Sequence, residues 1–203
     1  MNKKVDFKKK LRHLYNPPIA GFHLVDVPKM NYLMIDGKGN PNTSADYQQA
    51  VEALYSMAYS VKFALKPRGF DHIVPPLEGL WWMENMNDFN LANKEFWEWT
   101  MMIMQPEWVV SEFVESVREA AYKKKKNSSL MRVRFDAYEE GLAVQILYTG
   151  PYEAEAPTIS AMHNFMKTNG YQLMGKHHEI YLGDPRKTLA EKLQTILRQP
   201  IRK

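Results

Sequence analysis

Apolar positions along the chain switch between a period of two and a period near 3.6. The run "YLMI" ends at Gly37 and Gly39, which predicts a strand followed by a turn. Behind Thr43 or Ser44 as N-cap, apolar residues from Tyr47 to Leu65 largely follow helical spacing, and Pro67 and Gly69 stop the helix. "VPPLEGLWWMEN" reads as an aromatic strand with Gly79 inside it, and a turn region follows over residues 85–93. In "EFWEWTMMIMQP", Trp97, Trp99, Met101 and Ile103 share one face, the pattern of a second strand. Pro106 opens a second helix, with Val110, Phe113, Val114, Val117 and Ala121 as its buried stripe. The lysines at 123–126 lie in its last turn, where cations suit the helix dipole.

"MRVRFDAYEEGLAVQILYTGPY" predicts a hairpin joined near residues 139–141. "AEAPTISAMHNFMKTNGY" predicts a helix stopped by Gly170, and "KHHEIYLGDPRK" a strand ended by Asp184 and Pro185. "EKLQTILRQPI" has a helical composition. It is assigned to a strand because Thr195, Ile196 and Leu197 stand before Gln199 and Pro200, and because it completes a repeat of element order. That order is β-α-β-β used twice. The expectation is an α+β fold in one domain spanning residues 1–203. It has a first unit over about 28–105, a connecting helix over about 107–126 and a second unit over about 130–203. Two antiparallel sheets, each covered by its helix on one face and related by a pseudo-twofold, would leave a central ligand cleft between the units.

Composition narrows the chemistry. The chain of 203 residues has no cysteine, which excludes disulfides, thiolate metal sites and cysteine nucleophiles and fits a cytoplasmic location. No apolar run reaches the roughly 18 residues of a membrane helix, so no membrane partner is expected. The net charge of +4 is concentrated at one end: residues 1–12 carry six basic side chains against Asp6, leaving 21 basic and 22 acidic residues elsewhere. This reads as a solvated terminal helix or tail, and direct nucleic-acid binding is not expected.

The strand "HHEIYL" carries the candidate chemistry. Alternation puts His178, Ile180 and Leu182 on one face, expected to meet the covering helix, and His177, Glu179 and Tyr181 on the other, expected to meet the cleft. His177 and His178 point apart and no third ligand has a recognisable spacing, so no metal or other cofactor is expected. Trp81, Trp82, Trp97 and Trp99 lie in or beside the first unit's strands, and the predicted hairpin and the residues after it add Tyr148 and Tyr152. Trp81 and Trp82 are adjacent, so one of them should look into the cleft. Aromatic walls around a carboxylate suit a planar or cationic ligand, and poor solvation should raise the proton affinity of Glu179.

The stretches "VDVPKMNYLMIDGKGNPN", "PPLEGLWW", "WEWTMMIMQP", "EEGLAVQILYTGPYEAEAPTI", "GYQLMGKHHEIYLGDPRKT" and "KLQTILRQPI" resemble the GyrI-like small-molecule-binding proteins of the stand-alone kind, nearly from end to end. The resemblance implies the duplicated fold and a central cleft for hydrophobic, planar or cationic compounds, as in multidrug binding. It also implies a ligand-contacting acid at Glu179. Some stand-alone members hydrolyse cyclopropanoid DNA-alkylating compounds, a detoxification of xenobiotics that protects the cell. On that pattern Glu179 and Tyr181 are the catalytic candidates. Trp81, Trp82, Trp97, Trp99, Tyr148, Tyr152 and His177 are the ligand-binding candidates. The family often has histidine at the position of Tyr148. Other members are effector-sensing parts of transcription regulators with a helix-turn-helix domain in the same chain. The stretch before the first predicted strand is too short for one. The alternative to an enzyme is a non-catalytic module that sequesters or senses a small molecule, or binds a protein partner.

Overall fold

The computed structural model describes residues 4–84 and 94–203; the turn predicted over residues 85–93 lies outside them. Two short helices, α1 (Phe7–Lys10) and α2 (Arg12–Tyr15), precede β1 (His23–Val27) and β2 (Met30–Lys38). Then come α3 (Ala45–Leu65), β3 (Leu77–Trp82), β4 (Glu98–Gln105) and α4 (Ser111–Lys125). The second half holds β5 (Arg134–Tyr138), β6 (Gly141–Thr149), α5 (Ala156–Thr168), a short β7 (Gln172–Leu173), β8 (His177–Tyr181) and β9 (Gln194–Arg202). Ser44 caps α3, its hydroxyl accepting from the Tyr47 N–H at 3.2 Å. Gly69 closes the following turn in the left-handed region, where glycine carries no steric penalty. The segment 194–202 is a strand, as the element-order repeat requires.

The strands run β1-β6-β9-β8-β3-β4-β2-β5, with β7 attached to β9. The units β2-α3-β3-β4 and β6-α5-β8-β9 occupy equivalent places on either side of the β3–β8 pair. Antiparallel pairing from Leu77↔Tyr181 to Trp81↔His177 makes one continuous sheet where two were expected. Each unit would otherwise present an open strand edge, and pairing the edges satisfies both backbones. The hairpin expected around residues 139–141 does not form. β5 pairs with β2, and β6 with β1 and β9. The register from His23↔Gln145 to Val27↔Gly141 continues unbroken from Met30↔Tyr138 to Met34↔Arg134. β1–β2 and β5–β6 are therefore two long bent strands paired with each other. A bend between collinear strands and a hairpin turn look alike locally; only distant partners distinguish them.

One face of the sheet carries all three long helices. α3 and α4 pack with Leu33, Ile35, Trp81, Trp99 and Met101, while α5 buries Ile159, Met162 and Met166 against Val144, Leu197 and Ile201. α4 begins at Ser111, not after Pro106, and Val110 is its half-exposed N-cap. The other face is covered by the N-terminal segment. Phe7 packs with Tyr32, Met34 and Met102, while Leu14 and Tyr15 pack with Val25, Ile180 and Ile196. The basic segment is thus an amphipathic cap: Lys8, Lys9, Lys10 and Arg12 face solvent and its apolar side covers the sheet.

Beneath the cap lies a buried ionic network. Tyr15 donates to Glu78 at 2.7 Å, and the two ring nitrogens of His178 lie 3.1 Å from Glu78 and 3.0 Å from Glu140. Arg198 donates to Glu140 at 3.1 Å, to Gln145, and to the Leu14 carbonyl at 2.7 Å. Two carboxylates thus face two cations, each side chain bonded to its partners, the condition under which buried charge is tolerated. Burial opposes the charged form of both His178 and Glu140. For His178 the Glu140 carboxylate and the hydrogen bonds outweigh it and lift the imidazole to about 9. For Glu140 the charges of His178 and Arg198 outweigh it and hold the carboxyl at about 2.

Two outcomes follow for stability. A Cβ at Gly37 would stand 2.1 Å from the buried Trp99 ring, so Gly37→Ala is expected to cost roughly 1–3 kcal/mol in urea unfolding. Unchanged stability would contradict that close contact. His178→Gln breaks the buried network and is expected to cost about 3–5 kcal/mol near pH 6. The folded-state pKa of His178 lies above its ordinary 6.5, so its contribution is complete below pH 6.5 and is lost as pH rises through about 9. The stability difference between wild type and variant should therefore shrink across that interval. A difference that does not change with pH would rule out a charged His178.

Candidate functional site

The site is built on the two central strands. Gly79 is paired with Glu179, Trp81 with His177 and Leu77 with Tyr181, so these six positions share one face. It is the face that carries the helices. Alternation separates Glu179 from His178 as expected, but the layers are reversed. Ile180 and His178 look toward the N-terminal cap, while His177, Glu179 and Tyr181 look into the space between α3 and α5. The face that carries Glu179 is therefore the face that carries the helices, above one sheet.

Glu179 is 8% exposed and sits at the end of a hydrogen-bond chain. The Trp81 Nε1–H donates to the Tyr181 hydroxyl at 3.0 Å, which donates to Glu179 Oε2 at 2.6 Å. His177 Nε2 lies 3.5 Å from Glu179 Oε1. Burial, then the Glu179 charge, pushes the Tyr181 phenol well above its ordinary range, so it stays a donor. Gly79 gives Trp81 its place: a Cβ there would stand 2.8 Å from the indole nitrogen. Further rings stand against Tyr181 and Trp81, the two aromatic members of that hydrogen-bond chain. Tyr152 meets Tyr181 edge-on at 5.5 Å, Trp97 meets Trp81 at 5.4 Å, and Tyr47 lies 6.0 Å from Trp81.

The other candidates separate. Trp82 faces the opposite side, where the Lys176 ammonium stands 3.2 Å from its ring centroid. Trp99 is fully buried beneath α3, edge-on to Tyr47 at 5.3 Å, and acts as core. The Tyr148 hydroxyl donates to the Pro151 carbonyl at 3.0 Å, bracing the turn before α5. Glu179, Tyr181, Trp81, Trp97, Tyr152 and His177 are brought together, and Trp82, Trp99 and Tyr148 serve elsewhere. Tyr47 and Glu155 were not anticipated. Tyr47 lies in the first turn of α3, where its spacing suggests only core. Glu155, at the start of α5, looks in sequence like an ordinary acidic helix end.

Glu155 is 2% exposed. Burial, then the neighbouring Glu179 carboxylate, pushes it up to about 9, so it holds its proton at neutral pH. The Thr195 hydroxyl lies beside it and favours its charged form, yet neither Glu155 Oε1 nor Thr195 Oγ1 completes a hydrogen bond. The candidate site thus combines a carboxylate held by a tyrosine, a protonated carboxyl and neighbouring aromatic rings. That arrangement can hold a flat or cationic molecule and can accept or donate protons. Among the described residues, no three His, Cys, Asp or Glu side chains are placed to hold a metal ion, and no helix is long and apolar enough to cross a membrane. Surface hollows of about 260 Å³ (beside Arg134 and Lys176) and about 550 Å³ (beside Arg12 and Leu182) are not lined by Glu179 or Glu155.

Known proteins place this geometry. No curated protein matches the chain. Among solved structures, an uncharacterized conserved protein from Listeria innocua is 43% identical with a TM-score of 0.91, covering 98% of this chain and all of its own. Two structures described as hydrolases from Listeria innocua are 41% and 40% identical, with TM-scores of 0.87 and 0.85 and the same coverage. The profile of the GyrI-like small molecule binding domain matches residues 22–202. The chain belongs to the GyrI-like small-molecule-binding family.

Proposed function

We propose that this chain is a hydrolase that takes a planar, hydrophobic, electrophilic small molecule into the cleft above β3 and β8, with cyclopropanoid alkylating compounds as the substrate class. The observation that carries the reading is Glu179, buried among aromatic rings and held by the Tyr181 hydroxyl at 2.6 Å. The rings supply a surface for a flat ligand. The carboxylate supplies a base for a water molecule directed at the strained ring. The Tyr181 hydroxyl is already committed to Glu179 and Trp81, so Tyr181 positions the base. Two hydrolases at 41% and 40% identity over nearly the whole chain support an enzyme over a passive binder.

Incubation with a cyclopropanoid alkylator, read by mass spectrometry, tests this. Wild type is expected to give a product heavier by one water, in excess over protein. Glu179→Gln should keep the shape of the cleft and bind the compound, with turnover down by about 10²–10⁴-fold. Ligand that stays intact but bound by wild type would make the cleft a sequestering or sensing module. Full turnover in Glu179→Gln would remove Glu179 as the base.

A further inference from the structure

The base alone does not complete the reaction. Opening a cyclopropane conjugated to a carbonyl places the released electron pair on the carbonyl oxygen, which then needs a proton. We propose that Glu155, at the head of α5 beside Glu179, is the general acid of the site and delivers that proton. The inference rests on the hydrolase reading above and adds a second catalytic residue to it.

The geometry supports the role on three counts. Glu155 is buried, yet its Oε1 has no hydrogen-bond partner among the described residues, which leaves that oxygen available to a ligand. It lies near the base, close enough for the Glu179 charge to act on it, and Thr195 beside it is paired in the sheet with Tyr181 of the strand that carries the base. It also stands at the N-cap of the second unit's helix, whereas Glu179 stands on the central strand, so the two carboxyls are carried by different elements. The titratable and charged groups that act on Glu155 or respond to it are Glu179, Glu153, Lys94, Tyr148, Tyr152 and Tyr181. Of these, only Lys94 favours ionisation, and it ranks behind burial and both glutamates. With the Glu155 carboxyl holding its proton, the acid role falls to it and the base role to Glu179.

The step balances. Glu179 removes a proton from water. The water oxygen bonds to the cyclopropane methylene carbon, and the ring bond between that carbon and the conjugated system breaks. Its electron pair moves to the carbonyl oxygen, which takes the proton of Glu155. The product has gained one water, Glu179 is left protonated and Glu155 ionised, and one proton exchanged through solvent restores both.

The test is the pH profile of cyclopropanoid turnover for wild type, Glu155→Gln and Glu155→Asp. Wild-type rate should fall on the alkaline side as Glu155 loses its proton. Glu155→Gln replaces a neutral acid by a neutral amide, so its thermal midpoint and ligand affinity should stay close to wild type. Its kcat should fall by about 10²–10⁴-fold, with the alkaline limb abolished. Glu155→Asp should recover part of the rate together with an alkaline limb. A Glu155→Gln enzyme that retains wild-type kcat and the same alkaline limb would overturn this assignment alone. Absence of turnover by wild type would overturn the hydrolase reading and this inference with it.

Discussion

The rest of the structure depends on the antiparallel pairing of β3 with β8. Each strand is the open edge of its own β-α-β-β unit, and each can satisfy its backbone only by finding the other. Pairing them turns two small sheets into one and brings Gly79 opposite Glu179 at the middle of the molecule. The absent side chain at Gly79 leaves the space that Trp81 occupies, and Trp81 anchors Tyr181, which anchors Glu179. The site is therefore a product of the junction, with its hydrogen-bond chain crossing from the first unit to the second.

The same two strands serve opposite purposes on their two faces. Toward the helices, Glu179 is held by the Tyr181 hydroxyl, while the buried Glu155 Oε1 lacks a hydrogen-bond partner among the described residues. Toward the N-terminal cap, Glu78 and His178 belong to a network in which each charge meets an opposite one. A single step along β8 separates a histidine fixed as a cation by two carboxylates from a glutamate on the helix-bearing face. Strand alternation alone makes that separation possible. The cap is what keeps the second face dry, tied down through the Leu14 carbonyl and the Tyr15 hydroxyl.

Local pattern carried much of this. The alternation in "HHEIY" distinguishes Glu179 from His178, and the repeated element order finds the final strand against its own composition. What failed was pairing and layering. The residues near Gly141 resemble a hairpin turn, yet they join collinear strands that pair with β1 and β2, a hundred residues or more away. The segment that covers the opposite face reads as a solvated helix or tail because it is rich in lysine, and its buried Phe7, Leu14 and Tyr15 are too sparse to announce a helical stripe. Glu155 is hidden for a similar reason: an acidic residue at a helix start is usually solvated, and only the fold buries it beside Thr195 of β9.

The most direct test of the account is the crystal structure of Glu179→Gln with an intact cyclopropanoid compound bound. The ligand is expected between α3 and α5, its plane against Trp81 and Tyr152 and its strained ring toward position 179. A ligand found instead on the opposite face, beside Arg134 and Lys176, would contradict the assignment of the cleft.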